Sequence, residues 1–352
     1  MTRPAAFAIP GDATQKTGGY IYEYELLQAL RRNGREVQHL ELGAGFPNPS
    51  AAETASAIAA MVALSPETPL IIDGLVFGSI DTAGLRTVEA PIFAMIHHPL
   101  GLETGLSPTQ SQFLLQREAD NLQLAEAVLV PSPHTARILV QQFGVPEQKI
   151  TVAPPGFRPA DPIRTPQSPP LILSVGILAE RKGHDVLVAA LGRITDLDWQ
   201  AQIVGKTHDP AVEAALRRQI TDLDLADRIS LAGLLADDMV IERYRKATLF
   251  ALATRYEGYG IVLGEAMLHG LPIVTCETGA VPDTVAAGAG ILVPVDDVDA
   301  FAQALRSVLT DPSMQQAMSS RSAEVGRKLN SWDETEAIVS QVLDEVNLGL
   351  HV

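Results

Sequence analysis

Short apolar runs alternate with longer helical stretches along nearly the whole chain, and this alternation restricts the fold more than any other feature. In the first half the apolar runs fall at 5–9, 37–41, 70–73, 92–96, 127–130 and 150–153, with helical periodicity over 20–32, 51–64 and 134–143. Segments such as Ala127-Val128-Leu129-Val130 are apolar at consecutive positions, so both faces of each strand must be covered. Strands of that kind, separated by helices, build a parallel sheet with helices on either side. A chain of 352 residues is long enough for about two such domains.

Residues 158–170 interrupt the rhythm. They include Pro159, Pro162, Pro166, Pro169 and Pro170, lack an apolar period, and read as an extended connector. Alternation then resumes, with apolar runs at 171–175, 200–204, 229–232, 249–253, 273–275 and 291–293. The expected fold class is α/β: two doubly wound parallel-sheet domains, residues 1–157 and 171–330, joined by the linker 158–170. Ligands bind such sheets at the carboxyl ends of the strands, which makes the cleft between the domains the expected site.

Charge and cysteine content exclude several functions. A net charge of -16 argues against a nucleic-acid surface, which needs clustered cations, and against docking on anionic lipid. No apolar run approaches the roughly 18–20 residues of a membrane span. The opening stretch 1–10 is too short in apolar residues for a secretory signal, and the single Cys276 leaves no intramolecular disulfide and no cysteine zinc cluster. A cytoplasmic protein is expected.

Four segments carry candidate chemistry. The strand-like run 249–253 leads into Glu257-Gly258-Tyr259-Gly260-Ile261-Val262-Leu263-Gly264-Glu265, a glycine turn followed by an apolar-periodic helix over 261–269. Such a turn aims backbone N–H groups and the positive helix end at one point, which suits a phosphate, while Glu257 and Glu265 can accept from hydroxyl groups. Phosphate donors beside hydroxyl acceptors point to a sugar nucleotide. The loop 176–184 places Arg181 and Lys182 after the strand 171–175, where two cations can stabilise a departing diphosphate, although an isolated Arg-Lys pair is more often a solvated loop. Gly18 and Gly19 end the loop after the first strand and let backbone approach a ligand, or simply make a tight turn. His97, immediately after the strand 92–96, can hydrogen-bond a sugar, and a structural histidine is nearly as good a reading. The Asp-x-Asp pairs 196–198, 222–224 and 297–299 lie between elements and read as solvated turn acids, so no metal is expected, and no G-x-S-x-G nucleophile motif occurs.

Taken together these segments resemble the retaining glycosyltransferases of family 4, with its GT-B fold of two Rossmann-like domains facing a central cleft. The resemblance rests on the E-x7-E segment 257–265, on Glu265-Ala266-Met267-Leu268-His269-Gly270-Leu271-Pro272, and on Thr278-Gly279-Ala280-Val281-Pro282-Asp283. Val130-Pro131-Ser132, the segment 151–156 and Ser331-Trp332 add to it. It implies transfer of a hexose from a nucleoside diphosphate sugar, UDP most often, to an acceptor hydroxyl, with retention and without metal or other cofactor. By position, Glu265 would hold the donor ribose and Glu257 would face the transferred sugar. The backbone of Gly258, Tyr259, Gly260, Ile261 and Val262 would receive sugar and phosphate. Lys182 would hold the diphosphate, Gly18 and Gly19 would close on it, and His97 would touch the sugar. The terminal segment 331–352 would form a helix packed back on the N-terminal domain. Ile177 stands where the family usually has arginine, and Arg181 is the candidate to supply that charge. Glu257, His97, Arg181 and Lys182 are thus the candidate catalytic residues. Front-face displacement and Glu257 as nucleophile both stay open, as do a nucleotide-sugar epimerase and a non-catalytic sugar-nucleotide-binding protein. The stretch 51–62, where membrane-associated relatives carry a basic amphipathic helix, has no cation, so a soluble acceptor is expected.

Overall fold

A computed structural model describes residues 3–103, 105–159 and 164–345. The chain divides into two compact units, Met1–Gly156 with Asn330–Val352, and Phe157–Leu329.

The first unit is built on a six-stranded parallel sheet, with β1 at Ala5–Pro10, β2 at Val37–Leu42, β3 at Leu70–Asp73, β4 at Ile92–Met95, β5 at Ala127–Val130 and β6 at Ile150–Val152. Their order is β2-β1-β3-β4-β5-β6, with Ala6 in register with Leu70 and Leu70 with Ile92. The chain leaves β1 for one side and returns to β3 on the other, so the carboxyl ends of β1 and β3 flank a crevice of the kind that receives ligands. The turn 11–17 ends β1, and Asp73 ends β3.

Helix Gly18–Arg32 follows that turn and is covered by the last described helix, Trp332–Glu345. Tyr22 and Trp332 meet edge to face with ring centroids 5.5 Å apart, and the Thr335 hydroxyl donates to the Pro154 carbonyl at 2.7 Å. Arg35, almost wholly buried, reaches both carboxylate oxygens of Asp344 at 3.1 and 3.0 Å. Arg32 pairs with Asp333 at 2.7 Å, and Arg31 donates to the Val37 carbonyl. The three arginines that cluster in the sequence are therefore occupied within the unit.

The second unit repeats the plan with β7 at Leu171–Val175, β8 at Gln200–Val204, β9 at Ile229–Gly233, β10 at Leu249–Leu252, β11 at Ile273–Cys276 and β12 at Gly290–Val293, in the order β12-β11-β10-β7-β8-β9. Here the reversal lies between β7 and β10. Leu249 and Ala251 pack into one apolar cluster and Phe250 and Leu252 into the other, as alternation on a strand covered on both faces requires. Burial of Leu249, Phe250 and Leu252 contributes about 1.5–3 kcal/mol each, which explains why a strand of this composition settles in the sheet centre.

The proline-rich segment 158–170 is described in part; 160–163 fall outside the described residues, as do 346–352 of the terminal segment. From residue 164 on, that segment is bound to the second unit. The Arg164 guanidinium donates to the carbonyls of Gly270 and Ala247 at 3.0 and 2.8 Å and to the Ser319 hydroxyl at 2.8 Å. Thr165 and Gln167 donate backbone N–H groups to the Arg245 and Lys246 carbonyls.

Candidate functional site

In the second unit the crevice between β7 and β10 is lined by the two segments singled out in the sequence. After β7 the chain passes Gly176 and makes a single 3₁₀ turn, Glu180–Lys182. Gly183 follows with φ +59°, and a Cβ there would lie 1.9 Å from the Ala253 carbonyl oxygen. Only glycine allows this loop to seat on the end of β10, and that seating carries Lys182 to Glu257. Lys182 Nζ donates to Glu257 Oε1 at 2.6 Å, and the Thr254 hydroxyl donates to the same oxygen at 2.9 Å. Arg181 Nη1 stands 3.9 Å from Glu257 Oε2 and donates to the Tyr256 carbonyl at 2.9 Å. Arg255 clamps the loop from outside through Asp185, at 3.1 and 2.8 Å, and Asp296, at 2.8 Å.

Glu257 is buried, which by itself would raise its pKa. The Lys182 and Arg181 charges, with the hydrogen bonds from Lys182 and Thr254, outweigh burial and hold the carboxyl below the usual glutamate range. The site therefore presents a charged carboxylate tied to two cations. A Lys ammonium has three donors, so Lys182 can keep Glu257 and still meet a phosphate oxygen.

Gly258, Tyr259 and Gly260 form the turn beyond Glu257. Gly260 has φ +86° and caps helix Ile261–Leu268; the Leu263 N–H donates to the Gly260 carbonyl at 2.9 Å, and the Ile261 and Val262 N–H groups begin the helix ahead of any intrahelical partner. A Cβ on Gly279 would lie 2.3 Å from the Glu257 carbonyl, and the Ala280 N–H donates to that carbonyl at 2.8 Å, so the segment 278–283 braces the turn from behind. Thr284 adds a bond from its hydroxyl to the Tyr259 carbonyl at 2.7 Å. One turn along the helix, Glu265 receives the buried Tyr244 hydroxyl on Oε2 at 2.8 Å.

Gly18, Gly19 and His97 lie in the first unit, at its own crevice. A Cβ on Gly19 would touch the His97 ring at 3.4 Å, so the glycine and the histidine are neighbours. His97 Nε2 lies 3.3 Å from Glu23 Oε1, and its ring meets Tyr22 edge to face at 5.0 Å. Glu23 and Asp73 are both buried, and their carboxylates lie within 4.8 Å of one another. Burial pushes Glu23 up to about 7, and burial with the neighbouring Glu23 charge raises Asp73 well above the carboxylate range. Burial lowers the His97 pKa, against the pull of Asp73. One ligand atom from each of Glu23, Asp73 and His97 lies within 4.8 Å of the others, a spacing that could hold a metal ion, which nothing in the sequence pattern predicts.

Sequence reasoning missed Glu23, Asp73, Thr254 and Tyr244. Two of these left a signal: Asp73 ends an apolar strand at the sheet's reversal, and Glu23 sits with Leu26, Leu27 and Leu30 on the buried side of its helix.

The family described as Glycosyl transferases group 1 matches residues 160–325, and the one described as Glycosyltransferase Family 4 matches 77–161. The two matches run without a break from the middle of the first unit through nearly all of the second. The chain belongs to glycosyltransferase family 4. Among curated proteins this family 4 chain is similar to the GDP-mannose-dependent alpha-(1-6)-phosphatidylinositol monomannoside mannosyltransferase of Mycobacterium tuberculosis, 29% identical over 62% of the chain and 61% of that protein. It spans about half the length of the first curated relatives it matches, 53% and 50%. Among solved structures, sucrose-phosphate synthase from Thermosynechococcus elongatus superposes with a TM-score of 0.84 at 21% identity, over 99% of this chain and 100% of that one. HepE of Anabaena, in complex with UDP and glucose, does so with 0.76 at 18% identity, over 98% and 99%. At such identities the superpositions speak to fold, which is GT-B.

Proposed function

We propose that the chain is a glycosyltransferase that moves a hexose from a nucleoside diphosphate sugar to an acceptor hydroxyl with retention at the anomeric carbon. The observation that carries this reading is the Lys182–Glu257–Arg181 group at the β7/β10 reversal, beside the N-terminus of helix Ile261–Leu268. Cations and backbone N–H groups there suit a diphosphate that gains charge as it departs. The bond from the anomeric carbon to the diphosphate oxygen breaks, the bond to the acceptor oxygen forms, and the acceptor proton goes to a phosphate oxygen of the leaving group. Lys182 and Arg181 stabilise that leaving group, and Arg181 supplies the charge that Ile177 lacks. Glu257 faces the sugar, Glu265 accepts the ribose hydroxyls, and the Gly258–Val262 backbone receives sugar and phosphate. In the first unit, His97 beside Gly19 offers a hydrogen bond to a sugar hydroxyl.

The preferred donor is a UDP-sugar, supported by the UDP and glucose in HepE; the GDP-mannose named for the mycobacterial relative makes guanine the competitor. The helix Ala51–Val62 carries no cation, and on that ground we propose a soluble acceptor. The test is to incubate UDP- and GDP-sugars with the protein and a cell extract, identify glycosylated products by mass spectrometry, and assign the anomeric configuration by NMR. A product of inverted configuration, or hydrolysis and epimerisation without transfer, overturns the reading.

A further inference from the structure

We infer that Tyr244 is a positioning residue for recognition of the donor ribose, acting through Glu265; the inference rests on the proposed role of Glu265. Tyr244 projects from helix Asp237–Lys246, and Glu265 from helix Ile261–Leu268, so the contact fixes a side chain of one helix from another. The tyrosine is 1% exposed and its hydroxyl donates to Glu265 Oε2 at 2.8 Å. A second, longer approach of 3.4 Å leads to the Val262 carbonyl, in the first turn of the Glu265 helix.

The ring itself has little freedom. It stacks on His269 with centroids 5.1 Å apart and planes 5° apart, and on Phe250 at 6.0 Å and 23°. His269 follows the end of the Glu265 helix and Phe250 belongs to β10, so the hydroxyl is aimed by sheet and helix together. A glutamate otherwise has three rotatable side-chain bonds, and ordering it at the moment of binding lowers affinity. A buried hydroxyl on one carboxylate oxygen orders it beforehand. A carboxylate has about four lone-pair sites, and the bond from Tyr244 on Oε2 occupies one of them. Burial and the Glu265 charge keep the phenol protonated, and it acts only as a donor here.

The experiment compares nucleoside diphosphate and 2′,3′-dideoxynucleoside diphosphate by calorimetry, using UDP or GDP, whichever binds the wild-type protein more tightly. Wild type is expected to prefer the ribonucleotide by about 30-fold, since bonds to a charged acceptor are among the stronger ones. In Tyr244→Phe, which keeps both ring stacks, the preference should fall to about threefold, with nucleoside diphosphate Kd and donor KM each raised about tenfold and kcat changed less than twofold. The preference is a ratio within one sample, so partial unfolding does not mimic its loss; Tyr244→Leu is the second variant and must show the same loss. If wild type shows no preference, the Glu265 reading itself falls. If wild type discriminates and both Tyr244 variants do so equally well, Glu265 stands and the role of Tyr244 is overturned.

Discussion

Glu257 is charged because two cations and a threonine hydroxyl meet it in a buried place, and that dependence makes its replacement informative. Glu257→Gln leaves Lys182 and Arg181 beside a neutral amide, and breaking a buried pair by removing one partner costs about 3–5 kcal/mol at full burial. Lys182 keeps 12% of its side chain exposed, so the lower end of that range is expected, read as a fall in thermal midpoint. Turnover should drop by at least about 100-fold with donor KM changed little, as for loss of one preorganised charged group at the reacting centre. Glu265→Gln should do the reverse, raising donor KM about tenfold and sparing kcat. Steady-state kinetics on both variants checks the pair, and interchanged results would exchange their roles. Because the folded Glu257 carboxyl titrates below its unfolded value, its stabilising contribution is present at neutral pH and is lost only as pH falls through and below about 4.5. Glu257, Glu265 and Lys182 were legible because they stand in short motifs beside glycines. Thr254 and Tyr244 were not: a threonine after a strand and a tyrosine in a polar helix look ordinary until packing brings them to a carboxylate.

The 3₁₀ turn Glu180–Lys182 and helix Ile261–Leu268 depend on glycines in ways a single methyl group can test. Gly183→Ala would place a carbon 1.9 Å from the Ala253 carbonyl oxygen in a left-handed conformation. The conformation alone costs about 1–2 kcal/mol, and the clash forces the loop off β10. Calorimetry should show destabilisation above about 2 kcal/mol, together with weakened nucleoside diphosphate binding as Lys182 moves away from Glu257. An equivalent Gly18→Ala, where nothing lies within 4 Å of the added carbon, should leave stability nearly unchanged. The twelve strands named above were readable within one residue at either end: the central ones, such as β3, β5 and β10, are apolar at consecutive positions, while β2 alternates Val37, Leu40 and Leu42 with exposed Gln38 and Glu41. The segment 164–170 was harder to read. Its prolines and missing period describe a chain without regular structure, but the hydrogen bonds of Arg164 to Gly270, Ala247 and Ser319 depend on partners about 80 to 155 residues away.

The two units carry separate apolar clusters and separate titrating groups, so they should answer pH and ligand differently. In the first unit Glu118 is fully buried, accepts from the Leu100 N–H at 3.0 Å on one oxygen, and has its other oxygen without a hydrogen-bond partner. Burial pushes its pKa up to about 8, and the Leu100 bond only partly opposes this. Glu23 rises to about 7 for the same first reason. Both groups bind a proton more tightly folded than unfolded, so between about 4.5 and 8 the folded state holds more protons and stability declines as pH rises. Glu118→Gln keeps an uncharged side chain of the same shape at every pH, and should remove its share of that decline: about half of it between 4.5 and 7, where Glu23 still contributes, and all of it from 7 to 8. In the second unit Glu257 gives no such slope above pH 5. Scanning calorimetry from pH 5 to 8.5 should therefore show the first unit's transition moving down with pH in the wild type and less so in Glu118→Gln, while saturating nucleoside diphosphate raises only the second unit's transition. A ligand concentration 100 times Kd adds about 2.7 kcal/mol to the state that binds it, enough to separate the two transitions. If nucleoside diphosphate raised the Glu118-sensitive transition instead, the donor would be held by the first unit, and the assignment of Lys182 and Glu265 to donor binding would fail.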